Sequence, residues 1–445
     1  MTETSEAAVA LEEVERQIAA STVDTIELGF VDLHGALRGK RVPATQLLAS
    51  AGRGAAMSTA LFVWGIHCEL PDDSPFSNWL NGFPDFELVP DLATFRTLPW
   101  RPGTALVLCD AIHEGAPLAI SPRRILADTI ARSESLGLSP MLGFELEFYL
   151  LASPRGPRES TAVPCYSLHE SSEHEPVLRA IRTALAELGI DVEACNAEYG
   201  YGQFEMSLRY DTALRAADSV ILFRYVVRQI AAQHGLTATF MAKPFAEESG
   251  SGMHIHQSLT QPGGGNAFWD DERRGASRAA HAYIAGLVSR MAETAAIGSP
   301  TPNGYKRVSD WSFSPVNATW GHDNRTVAVR LIEQASTSTR IEQRTAAADA
   351  NPYLVAAAQI SAGIDGIERD LEPPEITLGN AYLSDEARLP QSFESAISKL
   401  EASNFAREAV GSLTTDILLK VYRDELSLYD SQVSEWERER YLETS

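Results

Sequence analysis

Apolar and polar residues alternate through several stretches of this chain, and the polar partners are chemically reactive. In "GFELEF", Phe144, Leu146 and Phe148 fall on one side of an extended strand, with Glu145 and Glu147 on the other. In "GMHIHQSL", His254 and His256 alternate with Met253 and Ile255, so both imidazoles look into one space. "NAEYGYGQFEMSL" carries Glu198 and Glu205 on either side of a glycine-rich loop, and "RIEQR" sets Arg340, Glu342 and Arg344 opposite Ile341. Any one of these faces is ordinary for a strand with a solvated side. Together they direct carboxylates and imidazoles, with hardly a lysine among them, toward a common space.

The same reading predicts the elements around them. An amphipathic helix over about 8–20 precedes the strands "TIELGFVDL" and "LRGKRVPA", joined by a turn at His34-Gly35. Residues 64–103 read as irregular, ending in the strand "LPWRPGTALVLCD". Ser121 as a cap and Pro122 at the first helical position then start a helix. Beyond it come the strand "MLGFELEFYLL", the helix "HEPVLRAIRTALAELG" and the strand "GQFEMSLRY". The long helix "DTALRAADSVILFRYVVRQIAAQHG" is followed by the strands "LTATFMA" and "GMHIHQSL". A helix near 275–296, strands near 325–345, a helix over about 350–369 and a mostly helical C-terminal segment complete the pattern. It predicts an α+β fold around a large antiparallel sheet, with a boundary near 112–120 separating domains 1–115 and 116–445.

Composition narrows the function classes. A formal charge of −23 on 445 residues excludes a nucleic-acid binder of the usual basic kind. The four cysteines, Cys68, Cys109, Cys165 and Cys195, show neither C-x-x-C nor zinc-like spacing. With no secretory signal or long apolar run, a cytoplasmic protein with reduced thiols and no membrane association is expected.

Five or six carboxylates facing one space repel each other, so a cation must sit among them or their pKa values must rise. Oxygen donors with one or two imidazoles suit Mg²⁺ or Mn²⁺ better than zinc. Arg307, Arg325, Arg330, Arg340 and Arg344 lie close together in the sequence, and guanidinium groups match phosphate and carboxylate. No G-x-x-x-x-G-K-[ST] loop and no G-x-S-x-G elbow is present. The residues therefore point to phosphoryl transfer in a metal-filled, arginine-rimmed pocket.

The segments "GFELEFYL", "EYGYGQFEMSL", "TATFMAKPFAEESGSGMHIHQSL", "NGYKRV", "DNRTVAVRL" and "RIEQRTAAADANPYLVAAAQISAGIDGI", in that order, resemble the glutamine synthetase family. The resemblance implies an N-terminal β-grasp domain and a catalytic domain whose strands form a funnel. It implies stacked hexameric rings with active sites between neighbouring subunits. Glu147, Glu198 and Glu205 resemble the ligands of one metal, and Glu145, His254 and Glu342 those of a second. His256, Ser258, Arg330 and Arg340 resemble the ATP-binding side, with Arg325 and Arg307 acting on phosphate and substrate. Gly250, Arg307 and Arg344 resemble the residues that hold glutamate. Lys243 lies nearby in the family, with either a structural or a catalytic role. The implied chemistry is phosphorylation of the glutamate γ-carboxylate by ATP, then attack by an amine on γ-glutamyl phosphate.

Two departures concern the nitrogen donor. Where ammonium-using members read F-D-G-S-S, this chain reads "GAAMSTALFVWG", with Ser58 or Thr59 at the aspartate's place. Where they read P-G-Y-E-A-P after "YKR", this chain has Ser312 or Phe313 in place of the flap glutamate. Tyr166 keeps a place resembling the ammonium-site tyrosine. The expectation is a ligase joining glutamate to ethanolamine, a short monoamine or a polyamine, with Trp311, Phe313 and Trp320 as lining and Asp310 or solvent taking the proton. An ammonium-using glutamine synthetase and a catalytically silent ring scaffold are the alternatives. Tyr382, in "NAYLSD", stands near a tyrosine that some members adenylylate, but lacks the N-L-Y-D-L-P-P context, and no modification is expected.

Overall fold

Phe144, Leu146 and Phe148 are buried within a 13-residue strand, Ser139–Leu151, while Glu145 and Glu147 stay partly open on its other face. This strand is the axis of a nine-stranded sheet in a computed structural model that describes residues 3–20, 22–49, 54–153 and 164–444. Its partners on one side are Met253–Thr260, Arg340–Gln343, Val329–Ile332 and Trp320–His322. On the other side lie Gln203–Leu208 and Val192–Ala197, and two short strands pair with its ends. Every pairing is antiparallel except that of Trp320–His322 with Val329–Ile332. The fold is α+β.

The apolar face is covered by helices. Ala213–Gln233 supplies Phe223, whose ring meets those of Phe148 and Phe240 at 5.8 and 5.9 Å. Helix Pro352–Glu368 packs against Arg278–Arg290 with almost no separation. A Cβ on Gly286 would lie 2.0 Å from the Ala362 carbonyl, and one on Gly366 2.1 Å from the Ala282 carbonyl. Only glycine permits that approach.

A seven-stranded mixed sheet built from residues 23–117 lies beside it. Val23–Val31 pairs antiparallel with Leu37–Pro43 around Gly35, at φ 77°, and parallel with Gly103–His113. Polar contacts tie the helices that cover the larger sheet to the smaller one. Asn351 donates to the Asp32 and Leu33 carbonyls at 3.0 and 3.2 Å, and Tyr225 donates to Glu27 at 2.8 Å. Arg123 is shared among Asp218, Asp110 and Asp91 at 3.0, 2.8 and 2.6 Å.

The sequence expectations need four corrections. Ser121 takes the cap position, but its side chain makes no capping bond, so Pro122 alone favours that start. The region read as irregular holds a strand, Asp85–Pro90, whose Phe86 and Leu88 are buried between exposed neighbours. The helix expected over 275–296 breaks after Arg290 and resumes briefly at Ala295–Gly298. The strand expected over "LTATFMA" is only Thr237–Thr239. Among the described residues no helix is long and apolar enough to cross a membrane.

Candidate active site

Strand register assembles the site. Glu145 stands opposite His254 on one side and Ser207 on the other, and Glu147 stands opposite Glu205. His256 faces Glu342, which in turn faces Arg330. The side-chain period of two then aims these groups at one face. Gly143 stands opposite His256 and lines the space beside it.

Two cavities meet on this face. The larger, of about 660 Å³, is lined by Glu145, Glu147, Glu198, Glu205, His254 and Glu342, the whole expected ligand set. Gly250, Arg307, Arg325, Arg330 and Arg344 line it too, as do Tyr166 and Phe313. The smaller, of about 250 Å³, is lined by His256, Ser258 and Arg340. Glu145 and Ser207 border both, so the carboxylate of Glu145 stands at the passage between them.

Within that passage His256 Nε2 lies 3.0 Å from Glu145 Oε1, and His254 Nδ1 lies 3.5 Å from Glu145 Oε2 and 3.6 Å from Glu342 Oε1. Both nitrogens are buried and neither is aligned for a hydrogen bond. Buried nitrogens without hydrogen bonds, beside carboxylate oxygens, are a donor set for a cation. Glu145, Glu205 and His254 bring ligand atoms within 4.8 Å of one another, as do Glu145, His256 and Glu342. This grouping differs from the one the resemblance implies. Glu147 instead accepts from the Gly252 amide at 2.7 Å, and Glu198 accepts from Asn196 at 2.9 Å. The oxygen-rich set fits Mg²⁺ or Mn²⁺.

The titration behaviour follows from this crowding. Burial, then Glu145, Glu147 and Glu198, push Glu205 up to about 9. Burial and Glu147 push Glu198 up to about 7. Burial also acts against Glu342, but Arg344, His254 and His256 outweigh it and hold the group down at about 2. For Glu145 the two imidazoles overcome burial and lower it. Two carboxylates are thus held charged and two are inclined to keep a proton unless a cation arrives.

The arginines are placed differently from one another. Arg344 and Arg330 both bind Glu342, the latter at 2.9 Å. Arg307 is buried, with its guanidinium donating to the Thr345 carbonyl at 3.2 Å. The glycines of "SGSGMHIH" make room for it. A Cβ on Gly250 would come within 2.6 Å of its Cγ, and one on Gly252 within 2.5 Å of its Nη2. Arg340 donates to His256 Nδ1 at 3.1 Å, fixing that ring.

Several expected residues lie elsewhere. Thr59 is buried, its hydroxyl engaged with Ser77 and the Pro84 carbonyl at 2.8 Å each, and Ser58 caps a short turn. Neither lines either of these two cavities. Trp320 is core, 5 % exposed, with Nε1 donating to the Pro374 carbonyl at 2.8 Å. Asp310 is paired with Arg388 at 2.6 Å, and Lys243 Nζ donates to the Glu248 carbonyl. Trp311 packs at a tilt against Tyr382 and does not line the cavity. The sequence reading missed Asn196, Gln203 and Tyr199, all of which line the larger cavity. Asn196 stands two positions before Glu198, a same-side strand relation that was there to be read.

Comparison with known proteins bears on this geometry. The family described as glutamine synthetase, catalytic domain, matches residues 119–441. A glutamate–isopropylamine ligase of Pseudomonas is 40% identical over 96% of this chain and 96% of its own. A γ-glutamylethanolamide synthetase of Streptomyces coelicolor is 36% identical over 97% and 96%. A glutamine synthetase of Halobacterium salinarum is 33% identical over 96% and 95%. The solved GmaS/ADP complex superposes with a TM-score of 0.86 at 32% identity, over 96% of this chain and 99% of that one.

Proposed function

The chain belongs to the glutamine synthetase family, and we propose that it is an ATP-dependent ligase joining the γ-carboxylate of L-glutamate to an organic amine. The observation that carries this reading is the cavity wall formed by Tyr166, Tyr199, Ser312 and Phe313. Ser312 or Phe313 stands where the ammonium-using pattern has its flap glutamate, and the aromatic and hydroxyl groups of this wall suit the alkyl part of an amine. The two relatives named for amine products support the same choice.

In this account ATP occupies the smaller cavity, with its phosphates reaching the passage at Glu145. Arg340 and Ser258 meet the nucleotide there, and His256 is held in place by Arg340. Glutamate occupies the larger cavity, its carboxylates met by Arg307 and Arg344 and by the backbone at Gly250. Bound Mg²⁺ or Mn²⁺ among Glu145, Glu147, Glu198, Glu205, His254 and Glu342 supplies charge neutralisation for phosphate oxygens. A γ-carboxylate oxygen attacks the terminal phosphorus, ADP leaves, and γ-glutamyl phosphate forms. The amine nitrogen then attacks the acyl carbon, phosphate leaves with the former carboxylate oxygen, and one proton is lost from nitrogen. Arg325, at the cavity mouth, is the arginine left to meet phosphate charge.

Assembly into stacked rings would bring a neighbouring subunit's Ser58 loop toward this mouth. Four free cysteines fit a reducing, cytoplasmic setting. The reading is tested with glutamate carrying ¹⁸O in its γ-carboxylate, ATP, Mg²⁺ and ethanolamine or isopropylamine. A γ-glutamyl amide of the expected mass, with one ¹⁸O in the released phosphate, supports it. Label absent from phosphate would rule out the acyl phosphate route.

A further inference from the structure

The flap over the larger cavity holds an unfavourable backbone shape. Trp311 and Phe313, both bulky, have φ of 68° and 58°, in the left-handed region that side chains of this kind avoid. Within the loop over 309–314 the Ser312 hydroxyl donates to the Ser309 carbonyl at 2.6 Å and accepts from the Ser314 amide at 3.3 Å, but neither bond holds the two bulky rings.

The support comes from a segment some seventy residues later. The Tyr382 hydroxyl donates to the Ser314 carbonyl at 3.2 Å, and its ring packs on Trp311 with centroids 5.8 Å apart at 34°. Around that contact, Arg388 holds Asp310 at 2.6 Å. Asn317 donates to the Ala381 and Ser384 carbonyls at 3.0 and 3.3 Å, and the Leu389 amide donates to Val316 at 2.9 Å. On the cavity side, Phe313 stacks on Tyr199 at 6.2 Å and 22°. Tyr382 itself does not line the cavity. Burial raises its pKa, so the phenol remains a donor through the neutral range.

We propose that Tyr382 is a positioning residue that latches the 309–314 flap and so sets where Phe313 meets the nitrogen donor. It rests on the ligase reading above in that Phe313 is taken to wall the donor's site. ATP and glutamate bind against other residues, so loosening the latch should weaken one substrate and spare two.

The test is Tyr382→Phe, which keeps the ring and removes the hydroxyl. A neutral hydrogen bond of this kind corresponds to about a three- to tenfold change. The KM for the nitrogen donor is expected to rise by that factor, with the KM values for ATP and glutamate and kcat each moving less than about twofold. Amide hydrogen exchange over 309–314 should quicken in the same variant. All three KM values rising together with a fall in kcat, an unmoved donor KM, or unchanged flap exchange would each overturn the latch. If ammonium proves the only donor, the ligase reading fails, yet the same split read on ammonium still decides the latch. If no donor is used, flap exchange decides it alone. Trp311→Gly removes the ring contact and eases the strained φ; faster flap exchange there, at an unchanged melting temperature, separates loss of the latch from loss of the fold.

Discussion

Glu145 Oε1 lies 3.0 Å from His256 Nε2 at the passage between the two cavities, without the alignment of a hydrogen bond. The same carboxylate is 3.5 Å from His254 through its other oxygen. One side chain therefore borders both cavities.

Changing the outer partners of metal ligands costs roughly 10- to 100-fold, and in the proposed site Glu145 is itself a ligand. Glu145→Gln is expected to lower kcat by more than about 100-fold and to weaken Mn²⁺ binding. Because the two imidazoles hold Glu145 charged, losing that charge should leave the melting temperature of the metal-free protein the same or lower. Steady-state rates, a Mn²⁺ titration and a thermal scan check the three parts together.

Metal binding should depend on pH in a definite direction. In the metal-free protein Glu205 keeps its proton up to about 9 and Glu198 up to about 7. An unfolded chain loses these protons near the ordinary glutamate value of about 4.3. Folded protein thus binds more protons between those limits, so on account of these groups its metal-free stability falls as pH rises. A cation must displace the protons, and its affinity rises with pH. The increase in melting temperature caused by Mn²⁺ should be larger at pH 8.5 than at pH 6. Each proton displaced makes the dependence steeper by about 1.4 kcal/mol per pH unit. A flat or falling increment would contradict this.

Phe313 is 47 % exposed at the cavity wall, where a carboxylate would favour a small cation. Phe313→Glu is expected to raise kcat/KM for ammonium relative to an organic amine by about tenfold or more, by adding an attraction for one and removing apolar contact for the other. Competition between labelled ammonium and ethanolamine measures the ratio directly.

Asn351 caps helix Pro352–Glu368 through the Tyr353 and Leu354 amides and binds the other sheet through the Asp32 and Leu33 carbonyls. It is buried, so Asn351→Ala takes the capping acceptor from the Tyr353 and Leu354 amides and a donor from the Leu33 carbonyl, while the Asp32 carbonyl keeps the Gly35 amide at 3.0 Å. Loss of a cap costs about 0.5–2 kcal/mol and each buried unsatisfied group about 1–3 kcal/mol. The variant should unfold at a temperature lower by several degrees or fail to accumulate, with KM values unchanged in whatever remains folded.

Much of the site is legible in the chain because it is built on strands, where alternation fixes direction. Glu145 and Glu147 opposite Phe144, Leu146 and Phe148 is a pattern that burial alone enforces. What alternation does not disclose is how carboxylates divide their partners. The grouping of Glu145 with both histidines depends on register between strands more than a hundred residues apart. Nor does it disclose the support of the flap, since Tyr382 reaches Ser314 across 68 positions. The places of Trp320 and Thr59 in the chain point to a pocket. Each has its polar atom committed to a distant carbonyl, of Pro374 and Pro84 respectively, and both are core. The Asp85–Pro90 strand was legible from Phe86 and Leu88, but flanking prolines hid it.

The central claim is that the nitrogen donor is an organic amine. Its most direct test is ADP release by purified protein with ATP, Mg²⁺ and L-glutamate, comparing ammonium with ethanolamine, isopropylamine, propylamine, putrescine and spermine at matched concentrations. The account predicts that an organic amine gives the highest kcat/KM, with ammonium at least about tenfold lower. Ammonium equal to or above every amine would contradict it and return the chain to glutamine synthesis.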